Sequence, residues 1–210
     1  GYGNDRAAAR TTQLWEQAGA AGLFLEDQVF PKRCGHMAGK DVVDADEWLA
    51  KLRAVLAART HLHVTARTDA RAVHGLDDAI DRAKMAIDLG VDAVFVEAPS
   101  SIAELERIGA ELSGRGATLV ANMVEGGTTP LCSAAELADA GFGLVINPLT
   151  SLLSIIPAMR DGLAELHTNG TVRDRLDHLA TFEDITTVVG LDTHVAHAVP
   201  EPSEQKGTVR

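Results

Sequence analysis

The chain is poor in cysteine, in concentrated positive charge and in long apolar runs. Two cysteines, Cys34 and Cys132, stand in 210 residues, too few for a disulfide framework, so a reducing cytoplasm is the default compartment. Lysine and arginine number 19 against 30 acidic residues, for a net charge of -11, and they are dispersed. That leaves no basic stripe to neutralise a phosphate backbone, which argues against nucleic acid as a partner. No apolar run approaches the roughly 18 residues that a membrane span needs, and no Lys/Arg-flanked apolar segment opens the chain, so no membrane partner is expected. Missing too are a glycine-rich nucleotide fingerprint, a Cys-x-x-Cys pair and a Gly-x-Ser-x-Gly elbow.

What is present is 46% hydrophobic and 23% charged, enough to build one sizeable core. Five nearly continuous apolar runs occur: 21–27, 62–68, 91–98, 117–124 and 141–149. They are β-branched and unalternating, the pattern of strands buried on both faces of a parallel sheet. Amphipathic stretches lie around and between them at 5–18, 45–59, 76–89, 101–113, 133–139 and 150–168, with Trp48, Leu49, Leu52 and Leu56 on one face of the second. Regular alternation makes the class α/β. A domain over 1–190 is expected, with 169–190 partly helical and a disordered Pro- and Glu-rich tail over 191–210.

Every strand ends in polar groups: Glu26 and Asp27, Arg67 and Asp69, Glu97, Asn122 with Glu125, and Asn147. In a (β/α)8 TIM-type barrel such ends converge on one mouth, so the barrel is favoured over a doubly wound sheet. A barrel needs eight strands. Five are found and the chain opens on Gly1, so the expectation is a barrel lacking its first three strands here, from a longer protein.

The stretch EDQVFPKRCGHMAGK, residues 26–40, is too long for a tight turn and carries no apolar periodicity. It reads as a flap over the mouth. Cys34 lies in it beside Lys32, Arg33 and His36, and positive charge beside a thiol favours its thiolate, suiting it to proton transfer or nucleophilic attack. Glu26, Asp27, Asp69, Glu97 and Glu125 at one mouth, with Arg67 too little to offset them, call for a divalent cation. Arg67 offers a planar fork for a carboxylate or phosphate. Asn122 and the run NMVEGGTTP supply donors for an anionic group.

The segments EDQ, PKRCGH, ARTDA, FVEAP, ANMVEGGTTP and INPLTS, in that order, resemble the isocitrate lyase/phosphoenolpyruvate mutase superfamily from Gly1 to about Gly170. KRCGH is the most specific of them; it resembles the carbon–carbon lyases and the carboxyphosphonoenolpyruvate mutase branch. The resemblance implies a Mg2+-dependent (or Mn2+-dependent) barrel with a gating loop, forming a homotetramer with exchanged C-terminal helices. It implies that Cys34 protonates an enolate-like carbanion left by bond cleavage, with Lys32, Arg33, Gly35 and His36 closing over the substrate. Arg67 and Asn122, with Glu125, Thr129 and Asn147, would bind the carboxylic acid substrate. Glu26 would hold the metal through water, and Glu97 would sit near the reacting centre. In the family a strand bearing an Asp-x-Asp metal pair precedes the stretch that GYGN resembles, so the principal ligands are expected upstream of Gly1.

The implied activity is cleavage of a 2-hydroxy or 2-alkyl malate of the 2,3-dimethylmalate or 2-methylisocitrate class to an oxo acid plus a carboxylic acid. NMVEGGTTP leans toward the former. A phosphonomutase, an oxaloacetate-type hydrolase and an inactive fragment stay open as alternatives.

Overall fold

The computed structural model describes residues 3–198. Eight α-helices and five strands alternate over these residues: α1 (Asp5–Gln17), β1 (Gly22–Glu26), α2 (Ala45–Ala58), β2 (His63–Thr68), α3 (Leu76–Asp88), β3 (Ala93–Val96), α4 (Ile102–Leu112), β4 (Thr118–Asn122), α5 (Ala134–Asp139), β5 (Leu144–Ile146), α6 (Thr150–Asn169), α7 (Phe182–Val188) and α8 (Leu191–Ala198). Two units are distinguished, Gly1–Leu152 and Leu153–Arg210.

In the first unit the strands form one parallel sheet in the order β1-β2-β3-β4-β5. This is part of a (β/α)-barrel wall, with five strands rather than eight and with β1 and β5 as open edges. Phe24 on β1 and Leu144 on β5 are 55% and 46% exposed. Each strand is shorter than its apolar run, because the polar residues at the ends turn out of the ladder to build loops. The register pairs Glu26 with Arg67 and Arg67 with Phe95, and Asn122 with Ile146. With side chains alternating along each strand, one face therefore carries Phe24, Glu26, Arg67, Phe95 and Asn122. The opposite face carries Leu25, Val64, Ala66, Val94 and Leu119, which join the helices in the main core.

Helix α2 shows how the core closes. Asp46 and Glu47 occupy its first turn, where the helix dipole favours negative charge. Trp48, Leu49, Leu52 and Val55 are its buried residues, at the spacing of one helical face. Val55 takes the place expected of Leu56, which packs only at the margin. Full burial of such side chains contributes about 1.5–3 kcal/mol each, and the Trp48 indole also donates to Leu25 O at 3.3 Å.

Helix α1 is stapled to the turn before β2 by one carboxylate. Glu16 accepts from the backbone N–H of Thr60, His61 and Leu62 at 2.7–2.8 Å, and the His61 bond leads in lowering its pKa from 4.5 to about 2. A lowered folded pKa means a contribution fully present above the unfolded value and lost as pH falls through the folded one. Wild-type protein is therefore expected to melt above Glu16→Gln near neutral pH, with the gap narrowing between 4.5 and about 2; thermal melts across that range check it.

In the second unit no residue of α6 or α7 is buried, and apolar side chains such as Ile155, Met159, Leu163, Phe182 and Val188 are exposed. Residues 191–198, expected as the start of a disordered tail, form α8, from Leu191 to Ala198. A terminal helix there is compatible with the local sequence, Pro-free until Pro200. The remainder of that expected tail, 199–210, lies outside the described residues. Among the described residues no helix is long and apolar enough to cross a membrane.

Candidate functional site

The carboxyl ends of β1 to β4 bring Glu26, Arg67, Asp69, Glu97 and Asn122 together, with Arg67 at the centre. Its Nε and Nη2 donate to the two oxygens of Asp69 at 2.9 and 3.0 Å. Nε also lies 3.1 Å from Glu26 and Nη1 3.6 Å from Glu97, and the guanidinium stacks 5.0 Å from the Phe95 ring centre. Burial alone would lower the pKa of this group; the bond and charge of Asp69 outweigh it and hold the charge more firmly than usual. Immediately past Glu97 the backbone turns sharply at Ala98, with φ of 55°, a left-handed conformation that costs a non-glycine residue about 1 kcal/mol or more.

Asp27 does not face this cluster. Strand alternation sends it to the opposite side from Glu26, where it is fully buried and accepts from Thr68 Oγ1 at 2.6 Å, Asp69 N at 2.8 Å and Arg82 Nη1 at 3.2 Å. Desolvation raises its pKa, against the pull of those bonds and of Arg82. Arg82 is a cation that the strand-end reading missed. The available signal was an arginine on the apolar face of α3, beside Ala79, Ala83 and Ala86. The charge imbalance expected at the mouth is correspondingly smaller.

The segment 27–43 folds down over the cluster. Its base is closed by an antiparallel bridge, Gln28 with Val42, and the Gln28 amide brackets Arg33, donating to its O and accepting from its N at 2.9 Å each. The cations flanking Cys34 in sequence are engaged elsewhere: Lys32 pairs with Glu26, and Arg33 Nη1 reaches Ala38 O at 3.4 Å. Cys34 itself is exposed. His36 Nδ1 accepts from Thr128 N at 3.0 Å, so a neutral ring carries its proton on Nε2, which lies 3.2 Å from Glu97 Oε1. Burial first, then Lys40 and Arg67, push the His36 pKa down, so the ring is neutral at pH 7 and that approach is not an ion pair. Glu97 is itself raised, mainly by burial.

Two glycines permit this docking. A Cβ at Gly35 would stand 2.3 Å from the Glu97 carboxylate, and one at Gly127 2.6 Å from His36 Nδ1. Gly35→Ala is expected to hold the segment off Glu97 and lower kcat/KM about 100-fold, the effect of a misplacement near 1 Å. Steady-state kinetics beside a thermal melt check this, the melt being expected to change little.

Among the described residues, five buried side-chain atoms have no hydrogen-bond partner: His36 Nε2, Glu97 Oε2, Asn122 Oδ1, Glu125 Oε2 and Thr129 Oγ1. Buried polar atoms are normally satisfied, so these are open positions for a polar ligand. A cavity of about 330 Å3 is lined by Lys32, Arg33, Cys34, His36, Arg67, Glu97 and Asn122, among others. Of the expected residues, Glu125 and Thr129 stand outside that lining, Glu125 bonding Thr150 Oγ1. Asn147 is exposed beyond β5 and does not line the cavity; the strand ends at Ile146, so its side chain is not carried inward. Glu26 lines the cavity, but among the described residues no group of three metal-ligating side chains occurs. The residues present thus do not assemble a cation site by themselves.

The arrangement can grip a carboxylate at Arg67, accept a proton at Glu97 and deliver one from Cys34. A family profile described as phosphoenolpyruvate phosphomutase matches residues 1–167. The chain is 44% identical over 198 residues to the chloroplastic carboxyvinyl-carboxyphosphonate phosphorylmutase of Arabidopsis thaliana, covering 92% of this chain and 58% of that protein. It is 37% identical to 2,3-dimethylmalate lyase of Eubacterium barkeri, covering 91% and 66%. Among solved structures, oxaloacetate acetylhydrolase in complex with 3,3-difluorooxalacetate superposes with a TM-score of 0.84 at 33% identity, over 93% of this chain and 66% of that one. The chain thus spans 58% and 66% of the length of these two curated relatives.

Proposed function

Because the chain belongs to the phosphoenolpyruvate mutase family, within the isocitrate lyase/phosphoenolpyruvate mutase superfamily, we propose that it serves a carbon–carbon lyase acting on a 2-hydroxy or 2-alkyl malate. The products are an oxo acid and a carboxylic acid. The observation that carries this reading is the docking of the Cys34 segment on Glu97, with Glu97 Oε2 and Asn122 Oδ1 making no hydrogen bond in the same place.

Arg67 and Asn122 hold a substrate carboxylate, the former through Nη1, the guanidinium nitrogen outside the fork that Asp69 occupies. Glu97 accepts the proton of the substrate 2-hydroxyl, whose oxygen becomes the carbonyl of the oxo acid as the neighbouring carbon–carbon bond breaks. The bonding pair passes to the departing carbon and its carboxylate as an enolate. Cys34 gives that carbon its proton, completing the second acid. His36, neutral and fixed by Thr128, keeps its Nε2 proton beside Glu97 and free of a protein acceptor, and the docked segment excludes water from the enolate. A divalent cation, Mg2+ or Mn2+, belongs to this reading as a group that stabilises the enolate oxygen when bound. Glu26 is its candidate partner through water, and the remaining ligands must come from outside this set of residues.

The exposed apolar faces of α6 and α7 support the accompanying reading of a homotetramer with exchanged C-terminal helices. Two free cysteines, with no membrane-spanning helix among the described residues, accord with a cytoplasmic enzyme.

Incubating the protein with Mg2+ and 2,3-dimethylmalate or 2-methylisocitrate is expected to release pyruvate. A second reading, carbon–phosphorus bond formation, is favoured by the 44% identity to the phosphorylmutase. Phosphorus NMR on carboxyphosphonoenolpyruvate separates the two: a new phosphinate signal, from a second phosphorus–carbon bond, without pyruvate release from either malate-type acid would overturn the lyase. Oxalate and acetate from oxaloacetate would instead mark a hydrolase.

A further inference from the structure

Both ends of the segment that carries Cys34 and His36 meet one buried guanidinium. The segment leaves β1 at Asp27 and returns at Val43. Arg82, 4% exposed on α3, donates from Nη1 to Val43 O at 2.8 Å and to Asp27 Oδ2 at 3.2 Å, while its Nε donates to Asp78 Oδ2 at 2.7 Å. Val43 N donates in turn to Asp27 O at 2.8 Å. Departure and return are thus clamped to each other and to a helix. A second chain of contacts starts from the same carboxylate, since Asp27 accepts from Asp69 N and Thr68 Oγ1. Asp69 then holds Arg67 by its two parallel bonds.

Packing alone does not ask for an arginine here. Its neighbours on that face of α3 are Ala79, Ala83 and Ala86, and a buried ion pair is often no more stabilising than apolar residues of similar volume. What the guanidinium adds is geometry: several directed bonds fix two backbone ends and one carboxylate in a single arrangement. The stretch between the clamped ends is mostly exposed, so its direction depends on how those ends are held.

We propose that Arg82 is a positioning residue of the site: its guanidinium locks the hinge of segment 27–43 and the Asp27–Asp69–Arg67 chain in one register, bringing Cys34 and His36 down over Glu97. The inference rests on the reading of 27–43 as the segment that covers the site and not on which substrate is cleaved.

Limited trypsin digestion tests it without any turnover, so its failure is distinct from failure of the lyase assay. Cleavage after Lys32 and Arg33 reports release of the segment; cleavage after Arg115, exposed at the end of α4, reports general loosening. In Arg82→Met the ratio of the first rate to the second is expected to rise about tenfold, as for an opening equilibrium shifted locally rather than globally. Arg82→Lys, which keeps the charge but can satisfy fewer acceptors, should return the ratio part of the way, and it carries the test alone if the methionine variant does not fold. A ratio unchanged in the folded variants, whether cleavage rises at both places in parallel or at neither, overturns the proposal and leaves Arg82 a stabilising residue only.

Discussion

Replacing Cys34 by serine is expected to lower turnover by about 10²–10⁴-fold, the usual worth of one positioned proton donor. Serine keeps the size and a hydrogen-bonding group, but an alcohol releases its proton far less readily than a thiol. The side chain is exposed, so the melting temperature should stay within a degree or so, as for a surface substitution away from a structural feature. Substrate affinity should be largely retained, because the proposed function assigns the carboxylate to Arg67 and Asn122 rather than to the thiol. Measuring kcat and KM separately for the Cys34→Ser protein checks this. Undiminished kcat would remove Cys34 from the chemistry and with it the assignment of the segment as the carrier of the acid.

Glu97→Gln is expected to lose activity to a similar extent while gaining stability. The carboxyl is almost fully buried, 1% exposed, and burial raises its pKa in spite of Arg67 and the Asn122 amide. A raised folded pKa means that the folded state binds the proton more tightly than the unfolded chain. Wild-type stability then rises as pH falls through the folded value toward the unfolded one. Glutamine has no charge to desolvate, so its advantage should be largest above the raised pKa and shrink as the solution is acidified. Melting curves of the two proteins across this range, beside kcat, test both halves. A lower melting temperature for Glu97→Gln at high pH would mean that attraction to Arg67 outweighs burial. Retained turnover would make the acceptor of the hydroxyl proton another group.

Class and order of elements were readable from the chain because they are local. A strand buried on both faces must be apolar at consecutive positions, and a helix on a core must repeat its apolar residues each turn. The polar strand ends and the KRCGH stretch were readable for the same reason: residues that neither face of a sheet would choose stand out against their neighbours. Strand alternation also held the information that Glu26 and Asp27 point to opposite faces, although adjacency made them look like a pair.

Other features required the three-dimensional arrangement. Arg82 lies 55 residues from Asp27, and only the packing of α3 on the sheet makes it the partner of that carboxylate. The positions of Gly35 against Glu97 and of His36 against Thr128 depend on where two distant loops meet. Asn147 shows the converse, a polar residue after a strand that the loop leaves outside. The sequence by itself determined which segments become strands and helices and which residue types gather at their ends, since these follow from propensity and periodicity along the chain. Tertiary structure alone decided which carboxylate faces the cavity and which is buried behind it, and which cation neutralises each. Charge and hydrogen bonding act through distances across the fold, and those are set only when the sheet and its helices have packed.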